Sequence, residues 1–302
     1  MTEQPEAAEQ PEQERGVGWS FLRSRRWIGY YAMLLIFAIA CVLLGNWQFD
    51  RRAEARAEIE RIDTNYDAPA VPLHEELSVD EPSSGFDEDT QKWRTVEVVG
   101  EYVGEPVLAR NRPGPSGVGS NLIQGLRDGS GEVFFIDRGW VPVDGAEAEA
   151  ETLDLASLPA APSGEVRVEA RLRASEPEIA GRSSVGRTVG SIHLPEVARL
   201  AGVADEAFTG AYGMLISETP AGEHGVLPEK PERDEGPHLS YALQWYIFIA
   251  IAVIGVAYAA RREYRGLNAG SETVREQDRR SAVRKDRRGR SDAEEEDALL
   301  DA

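Results

Sequence analysis

Seven polar and aromatic side chains lie where the chain passes between charged and apolar sequence, and together they could bind an amphiphilic ligand. They are Trp47, Gln48, Arg51, His238, Tyr241, Gln244 and Trp245. A neutral imidazole ligates haem iron well, aromatic rings can flank a macrocycle, and the Arg51 guanidinium can pair with a propionate. These residues are therefore candidates for a haem site in which His238 is the metal ligand.

The same side chains also have a simpler interpretation. Tyr and Trp are enriched at membrane–water interfaces, and Arg side chains commonly extend from there towards water, so two membrane anchors joined by a polar network would look similar. His238 and Gln244 fit this less well, because polar groups near membrane depth are costly unless they find partners. Residue types alone leave both interpretations open.

Two stretches without formal charge, 27–44 and 239–260, must position these side chains. At about 1.5 Å per residue the second spans roughly 33 Å as a helix, enough to cross a bilayer, and the first is at the short end of a membrane span. Residues 46–62 contain no Gly or Pro and are rich in Ala, Glu and Arg. We therefore expect the first helix to continue outward beyond the bilayer.

A cleaved signal peptide is the alternative for the first stretch. Ala38 and Ala40 resemble a small-residue cleavage site, and Cys41 would then hint at a lipoprotein. However, the polar leader is long, and the apolar run continues past Cys41 to Leu44. A retained transmembrane helix is the prediction.

The basic residues around the second stretch predict its orientation. Lys230 and Arg233 precede it, whereas six arginines follow it between 261 and 280. The positive-inside rule places the C-terminal tail in the cytoplasm, and two spans place the N-terminus there as well. We therefore expect a multi-pass protein of the cell membrane, surrounded by membrane lipids, with its main domain extracytoplasmic.

On this basis the sequence divides into six segments. They are a disordered cytoplasmic leader (1–22), a first transmembrane helix extending outward (23–62), an acidic loop (63–91), an extracytoplasmic α+β domain (92–237), a second transmembrane helix (238–261) and a charged cytoplasmic tail (262–302).

Charge and motif content argue against several classes of function. Segment 45–237 carries 37 acidic and 18 basic residues, almost all of the formal net charge of −20. Phosphate binding needs a basic face, so no nucleic acid partner is expected. The single cysteine, Cys41, excludes an intrachain disulfide and a cysteine-based zinc site. Since the sequence also lacks GxSxG, HExxH, CxxC and phosphate-loop motifs, no enzyme is expected.

Short strands separated by turn signals are typical of segment 92–237. The predicted strands are 95–99, 106–110, 121–126, 132–137, 165–173 and 211–217, with a helix at 194–201. Residues 100–104 are predicted to turn, and 112–119 to form a loop. We therefore expect an α+β membrane protein in which two transmembrane helices flank a mostly antiparallel sheet of about six strands with one or two short helices.

Four sequence elements, taken in order, resemble a known family. G-N-W-Q-F-D-R at 45–51 resembles the G-x-W-Q-x-x-R element of the Surfeit locus protein 1 family, the Surf-type cytochrome c oxidase assembly factors. V-V-G-E-Y at 98–102 is similar to its V-x-G-x-[FY] strand, and R-G-W-V-P at 138–142 to its R-G-W-[VI]-P element. H-L-S-Y-A-L-Q-W at 238–245 is similar to its H-x-x-Y-A-x-Q-W entry into the second helix. The resemblance covers about 27–262. The acidic loops, the long N-terminal leader and the charged C-terminal tail depart from the family pattern and suggest an actinobacterial-type member.

The resemblance implies a membrane-bound assembly factor for a haem a-containing oxidase. It would bind haem a transiently, with His238 as the expected iron ligand, and assist insertion into the catalytic subunit. The acidic domain would dock on the oxidase or on haem a synthase. The alternative is a structural scaffold or accessory subunit of the oxidase that does not touch haem.

Overall fold

The computed structural model describes residues 17–77, 85–143, 155–182 and 184–288, the last four of these by backbone only. They belong to two units: a membrane unit, made of residues up to Arg52 and from Gly236 onward, and a sheet unit of residues 53–235. Most of the predicted leader and the end of the predicted tail lie outside the described residues.

In chain order, the helices and strands are α1 (Arg25–Asn65), β1 (Val71–Pro72), α2 (Leu73–Glu76), α3 (Glu88–Gln91), β2 (Thr95–Gly114), β3 (Gly117–Asp128), β4 (Val133–Val141), β5 (Glu165–Ala174), β6 (Thr188–Val189), α4 (Leu194–Ala201), β7 (Ala211–Thr219), α5 (His238–Leu267) and α6 (Glu272–Arg288). Short 3₁₀ turns precede α1 at Ser20–Arg23 and β5 at Leu155–Ser157.

Helices α1 and α5 are long and apolar enough to cross a membrane, with 41 and 30 residues. Each runs beyond its predicted end, to Asn65 instead of 62 and to Leu267 instead of 261. The residues just past the predicted ends, 63–65 and 262–267, contain no Pro, so nothing there forces either helix to stop. The predicted tail contains the helix α6.

Helices α1 and α5 pack as an antiparallel pair along a seam that repeats every seven residues. On α1 the least exposed positions include Trp27, Leu34, Cys41 and Gln48. On α5 they include Ala242, Ile249, Val256 and Glu263. A seven-residue repeat is the pattern of two helices wound gently around each other, and small residues at the seam let their backbones come close.

The strands of the described residues form one seven-stranded mixed sheet that closes on itself. Its order is β1-β2-β3-β4-β7-β5, and β5 also pairs with β2. The long pairings β2–β3, β3–β4, β2–β5 and β5–β7 are antiparallel, whereas β1–β2, β2–β6 and β4–β7 are short parallel contacts. The α+β class is therefore confirmed, with a mixed sheet and two candidate spans flanking it in sequence.

The predicted turn at 100–104 is wrong, because β2 continues through it as one twenty-residue strand. Its first part pairs with β5 and its later part with β3, so both sides hold it extended. The turn signal instead marks an irregularity, where Gly104 has φ +69° and the register shifts between Val103 and Val107. The predicted loop at 112–119 is a tight hairpin between β2 and β3.

The core lies inside the closed sheet and under its covering elements. Every residue of β4 is buried, which explains why the strand opens with four consecutive apolar residues, 133–136, rather than an alternation. Helix α4 has the predicted bounds and packs Leu194 and Val197 into one cluster of this core. Gly202 ends α4 in the left-handed conformation at φ +76°, which suits glycine.

The last turns of α1 lie in the sheet unit and replace part of the predicted acidic loop. Ile62, Tyr66 and Trp93 form a small buried cluster. Asn65 Nδ2 donates to the carbonyls of Thr90 and Lys92, both at 2.9 Å. Beyond α1 the predicted loop contains β1, α2 and α3, and its residues 78–84 lie outside the described chain.

Candidate functional site

His238 is the first residue of α5 and contacts α1 directly. Its Nδ1 lies 2.9 Å from Oε1 of Gln48. Since an amide oxygen only accepts hydrogen bonds, this contact places a proton on Nδ1, and in the neutral ring the lone pair is then on Nε2. Both side chains are half-buried. The structure thus brings together two of the seven candidate residues, 190 positions apart in sequence.

The other five candidates lie near this pair with more exposed side chains. Trp47 is 54% exposed and Tyr241 49% exposed. Arg51 and Gln244 are also exposed. Trp245 is half-buried and meets Phe248 edge-on, with ring centroids 5.8 Å apart. The polar network expected from sequence therefore centres on His238 and Gln48.

Sequence reasoning missed the second cross-helix contact, between Tyr246 and the residues just before Gln48. The Tyr246 hydroxyl donates to Asn46 Oδ1 at 2.9 Å. A Cβ atom at Gly45 would lie only 2.9 Å from the Tyr246 ring, so a side chain at position 45 would displace that ring. The available signal was a glycine and an asparagine placed next to each other at the end of an apolar run.

The opposite end of the helix pair is closed by a different set of contacts. The Trp27 indole donates to Glu263 at 3.0 Å, and Arg26 forms an ion pair with the same carboxylate. The rings of Trp19 and Tyr264 stack with centroids 4.2 Å apart. These contacts fix the pairing of α1 with α5 at both ends, and so fix His238 opposite Gln48.

Within the sheet unit, three ion pairs join the chain that leads to His238 to α1 and to the residues just after it. They are Lys230–Asp67 at 2.6 Å, Arg233–Asp63 at 2.6 Å and Arg56–Glu235 at 3.4 Å. Each ion pair joins a side chain of residues 230–235 to one of opposite charge, and together they hold this segment in place.

Two of the motif elements of the sheet unit meet in one buried polar cluster. Arg138 is fully buried and bonds Glu218 at 3.2 Å and the Glu223 carbonyl at 2.6 Å. The Tyr102 hydroxyl donates to the same Glu218 carboxylate at 2.7 Å, and the Arg138 guanidinium lies over the Tyr102 ring. Burial, followed by the negative charge of Glu218, raises the pKa of Tyr102 well above its usual value. The cluster holds residues 218–223, at the end of β7 and just after it, against β4.

The neighbouring motif residues have packing roles. A Cβ atom at Gly139 would lie 2.8 Å from the backbone of Gly225, and φ there is +101°. The Trp140 indole donates to the Arg112 carbonyl at 3.0 Å and lies against Gly114 and Gly119, where side chains would collide with its ring. The R-G-W-V-P element is therefore explained by how the fold is held together.

Within the described parts of the chain, no three His, Cys, Asp or Glu side chains are grouped to hold a metal ion. A haem iron can be held by a single protein imidazole, so no such group would be needed for it. His238 has the donor chemistry for that role.

Comparison with known proteins decides the family. The SURF1 family model matches residues 35–250. The chain belongs to the SURF1 family. Uncharacterized SURF1-like proteins of Mycobacterium tuberculosis and Mycobacterium bovis are each 32% identical to it over 253 residues, covering 82% of this chain and 88% of theirs.

SURF1 proteins are associated with cytochrome c oxidase assembly, and the family is one of assembly factors rather than of catalysts. The predicted family and the actinobacterial resemblance are confirmed by these matches. Together with the two candidate spans, they identify a membrane protein linked to oxidase assembly.

Proposed function

We propose that this SURF1-family chain binds haem a transiently at the His238 end of its helix pair and assists its insertion into the catalytic subunit of cytochrome c oxidase. The observation that carries the proposal is the burial and hydrogen bonding of the His238 ring. Its ring is half-buried and held through Nδ1, and Nε2 has no hydrogen-bond partner among the described residues. An imidazole oriented through one nitrogen and open at the other has the arrangement of a metal ligand.

The side chains near His238 suit the remainder of a haem. Tyr241 and Trp245 follow His238 on the same side of α5, and Trp47 is exposed beside Gln48, so aromatic faces are available for a macrocycle. Arg51 carries the charge that suits a propionate. In this proposal haem a is cargo: the chain holds and orients it, and its iron chemistry belongs to the oxidase.

The membrane setting completes the proposal. Both termini lie in the cytoplasm and the sheet unit is extracytoplasmic, as the arginines after α5 predict. His238 then lies at the outer surface of the membrane. The acidic sheet unit docks on the oxidase catalytic subunit or on haem a synthase, where a basic surface would complement its charge.

A scaffold that steadies the oxidase without binding haem is the second candidate. The exposure of Trp47 and Tyr241 favours it, because exposed aromatics at the ends of spans also serve as plain interfacial anchors. A scaffold would need the helix pair and the sheet unit, but not an imidazole at position 238.

Co-expression with the haem a synthesis enzymes separates the two candidates. The full chain is purified in mild detergent, and its absorption spectrum is compared with those of His238→Ala and of His224→Ala, an exposed loop histidine outside the site. We expect a haem a spectrum in the wild type and in His224→Ala, and its loss in His238→Ala. Wild-type protein without haem would favour the scaffold, and haem retained in His238→Ala would exclude His238 as the ligand.

A further inference from the structure

Two residues around His238 are arranged to present one edge of its ring. The first is Gln48, whose side-chain oxygen lies 2.9 Å from Nδ1. The second is Gly236, two residues before His238, which has φ +69° and no side chain. A Cβ atom at Gly236 would lie 3.3 Å from both Nε2 and Cδ2 of His238. Each residue therefore acts on a different nitrogen of the same ring.

The contact of Gln48 determines which nitrogen is free. In a neutral histidine one ring nitrogen carries the proton and the other carries the lone pair, and an isolated imidazole exchanges between these tautomers. An oxygen acceptor at Nδ1 favours the Nδ1–H form and leaves the lone pair on Nε2. Metal-ligating histidines usually donate their second N–H to an oxygen in this way, which fixes the ring and raises its basicity.

Gly236 determines whether that lone pair can be reached. A metal lies roughly 2 Å from an imidazole nitrogen, so a methyl group 3.3 Å from Nε2 would crowd anything bound there. A macrocycle is broader than a single ion and needs more clearance around the nitrogen. The absence of a side chain at position 236 keeps this edge of the ring open.

We propose that Gln48 is the positioning residue of the His238 ligand, selecting its Nδ1–H tautomer, and that Gly236 is the clearance residue for its Nε2 edge. This inference rests on the proposed function and deepens it. The ligand class is a metalloporphyrin bound through Nε2. Neither Gln48 nor Gly236 needs to touch the iron.

The positioning role is tested by haem affinity and by the iron–histidine bond. Protein purified without haem is titrated with haem a in detergent, and the iron–histidine stretch is recorded by resonance Raman spectroscopy. We expect Gln48→Leu to weaken binding by about 10–100-fold, as loss of such a partner usually does, and to shift the stretch. Gln48→Glu keeps an oxygen acceptor and should retain haem. The matched control is Gln277→Leu, the same change at an exposed glutamine of α6, outside the site.

The clearance role is tested by Gly236→Ala beside Gly18→Ala. Both glycines have positive φ, +69° and +62°, so both variants carry backbone strain, but a Cβ atom at Gly18 meets nothing within 4 Å. We expect haem binding to weaken in Gly236→Ala only. Thermal unfolding of every variant is measured, so that misfolding is recognised as such.

The outcomes distinguish this inference from the proposed function. Wild-type protein that binds no haem a contradicts the proposed function itself. Wild-type binding with equal affinity in Gln48→Leu and Gln277→Leu overturns the positioning role. Unchanged affinity in Gly236→Ala overturns the clearance role.

Discussion

At the scale of single residues, burial changes the acid–base chemistry of Asp137. It lies in β4, next to Arg138, and accepts hydrogen bonds from Asn121 Nδ2 at 2.7 Å and from the Gly139 amide at 3.0 Å. Burial outweighs these hydrogen bonds and raises the pKa of Asp137 to about 6. Its ordinary pKa is 3.8, so the folded chain holds a proton that the unfolded chain has released over the pH range between the two values.

This residue makes stability depend on pH. Because the folded pKa is the higher one, the contribution of Asp137 is fully present below about pH 4 and is lost as pH rises through about 6, by roughly 3 kcal/mol in all. Asp137→Asn keeps the shape of the side chain and should remove this part of the slope. Urea unfolding of the full chain in detergent between pH 4 and 7.5 measures it, with exposed Asp205→Asn as control. An unchanged slope in Asp137→Asn would contradict the assignment.

The meeting of His238 with Gln48 could be anticipated from sequence, and the details around it could not. Two spans with both termini on one side bring 45–51 and 238–245 to the same membrane surface, whatever the rotation of each helix. Rotation decides which side chains face each other, and it selected Tyr246 rather than Tyr241 for the cross-helix hydrogen bond. The rotation of each helix depends on how the side chains of α1 pack against those of α5, and the sequence of one helix alone does not determine that packing.

At the scale of elements, the α1–α5 seam is the feature on which the site depends. Gly45 allows Tyr246 to lie against α1 and to reach Asn46. Gly29 occupies the same helix, but a side chain there would meet nothing within 4 Å. Substitutions at the two glycines therefore distinguish the effect of helix packing, at Gly45, from the effect of helix propensity, at Gly29.

Gly45→Leu should push the helices apart and lower the thermal stability of the detergent-solubilised chain, with a cost of about 1–3 kcal/mol from overpacking. Gly29→Leu should be neutral or slightly stabilising, since glycine is a poor helix former. Thermal unfolding monitored by circular dichroism compares the two. Equal melting temperatures for both variants would mean that the seam does not pass through Gly45.

Strand β2 shows why local turn signals can predict the wrong secondary structure. Residues 100–104 contain two glycines, a pattern that favours a turn in an isolated segment. Pairing with β5 and then with β3 overrides that preference, and such long-range pairing is set by the whole sheet. Helix α4 was predictable because its signals, Pro195 near the start and Gly202 at the end, are local.

At the scale of the whole molecule, the orientation proposed for the protein in the membrane can be tested by cysteine labelling. The single native cysteine, Cys41, can stay in place. Cys41 is buried at the helix seam and should not react with a membrane-impermeant maleimide. Ser130→Cys, on an exposed turn of the sheet unit, should be labelled in intact cells. Ser281→Cys, on α6, should be labelled only after lysis. The reverse pattern would contradict extracytoplasmic placement of the sheet unit.

If His238 carries haem a to the oxidase, as proposed, the haem a content of the assembled oxidase depends on this residue. A strain lacking this chain is complemented with wild type, His238→Ala or His224→Ala, at equal abundance in the membrane. The oxidase catalytic subunit is then isolated and its haem a per subunit is measured. We expect His224→Ala to restore the wild-type ratio and His238→Ala to leave it low. Full haem a occupancy with His238→Ala would contradict carriage by this residue and leave the chain a scaffold.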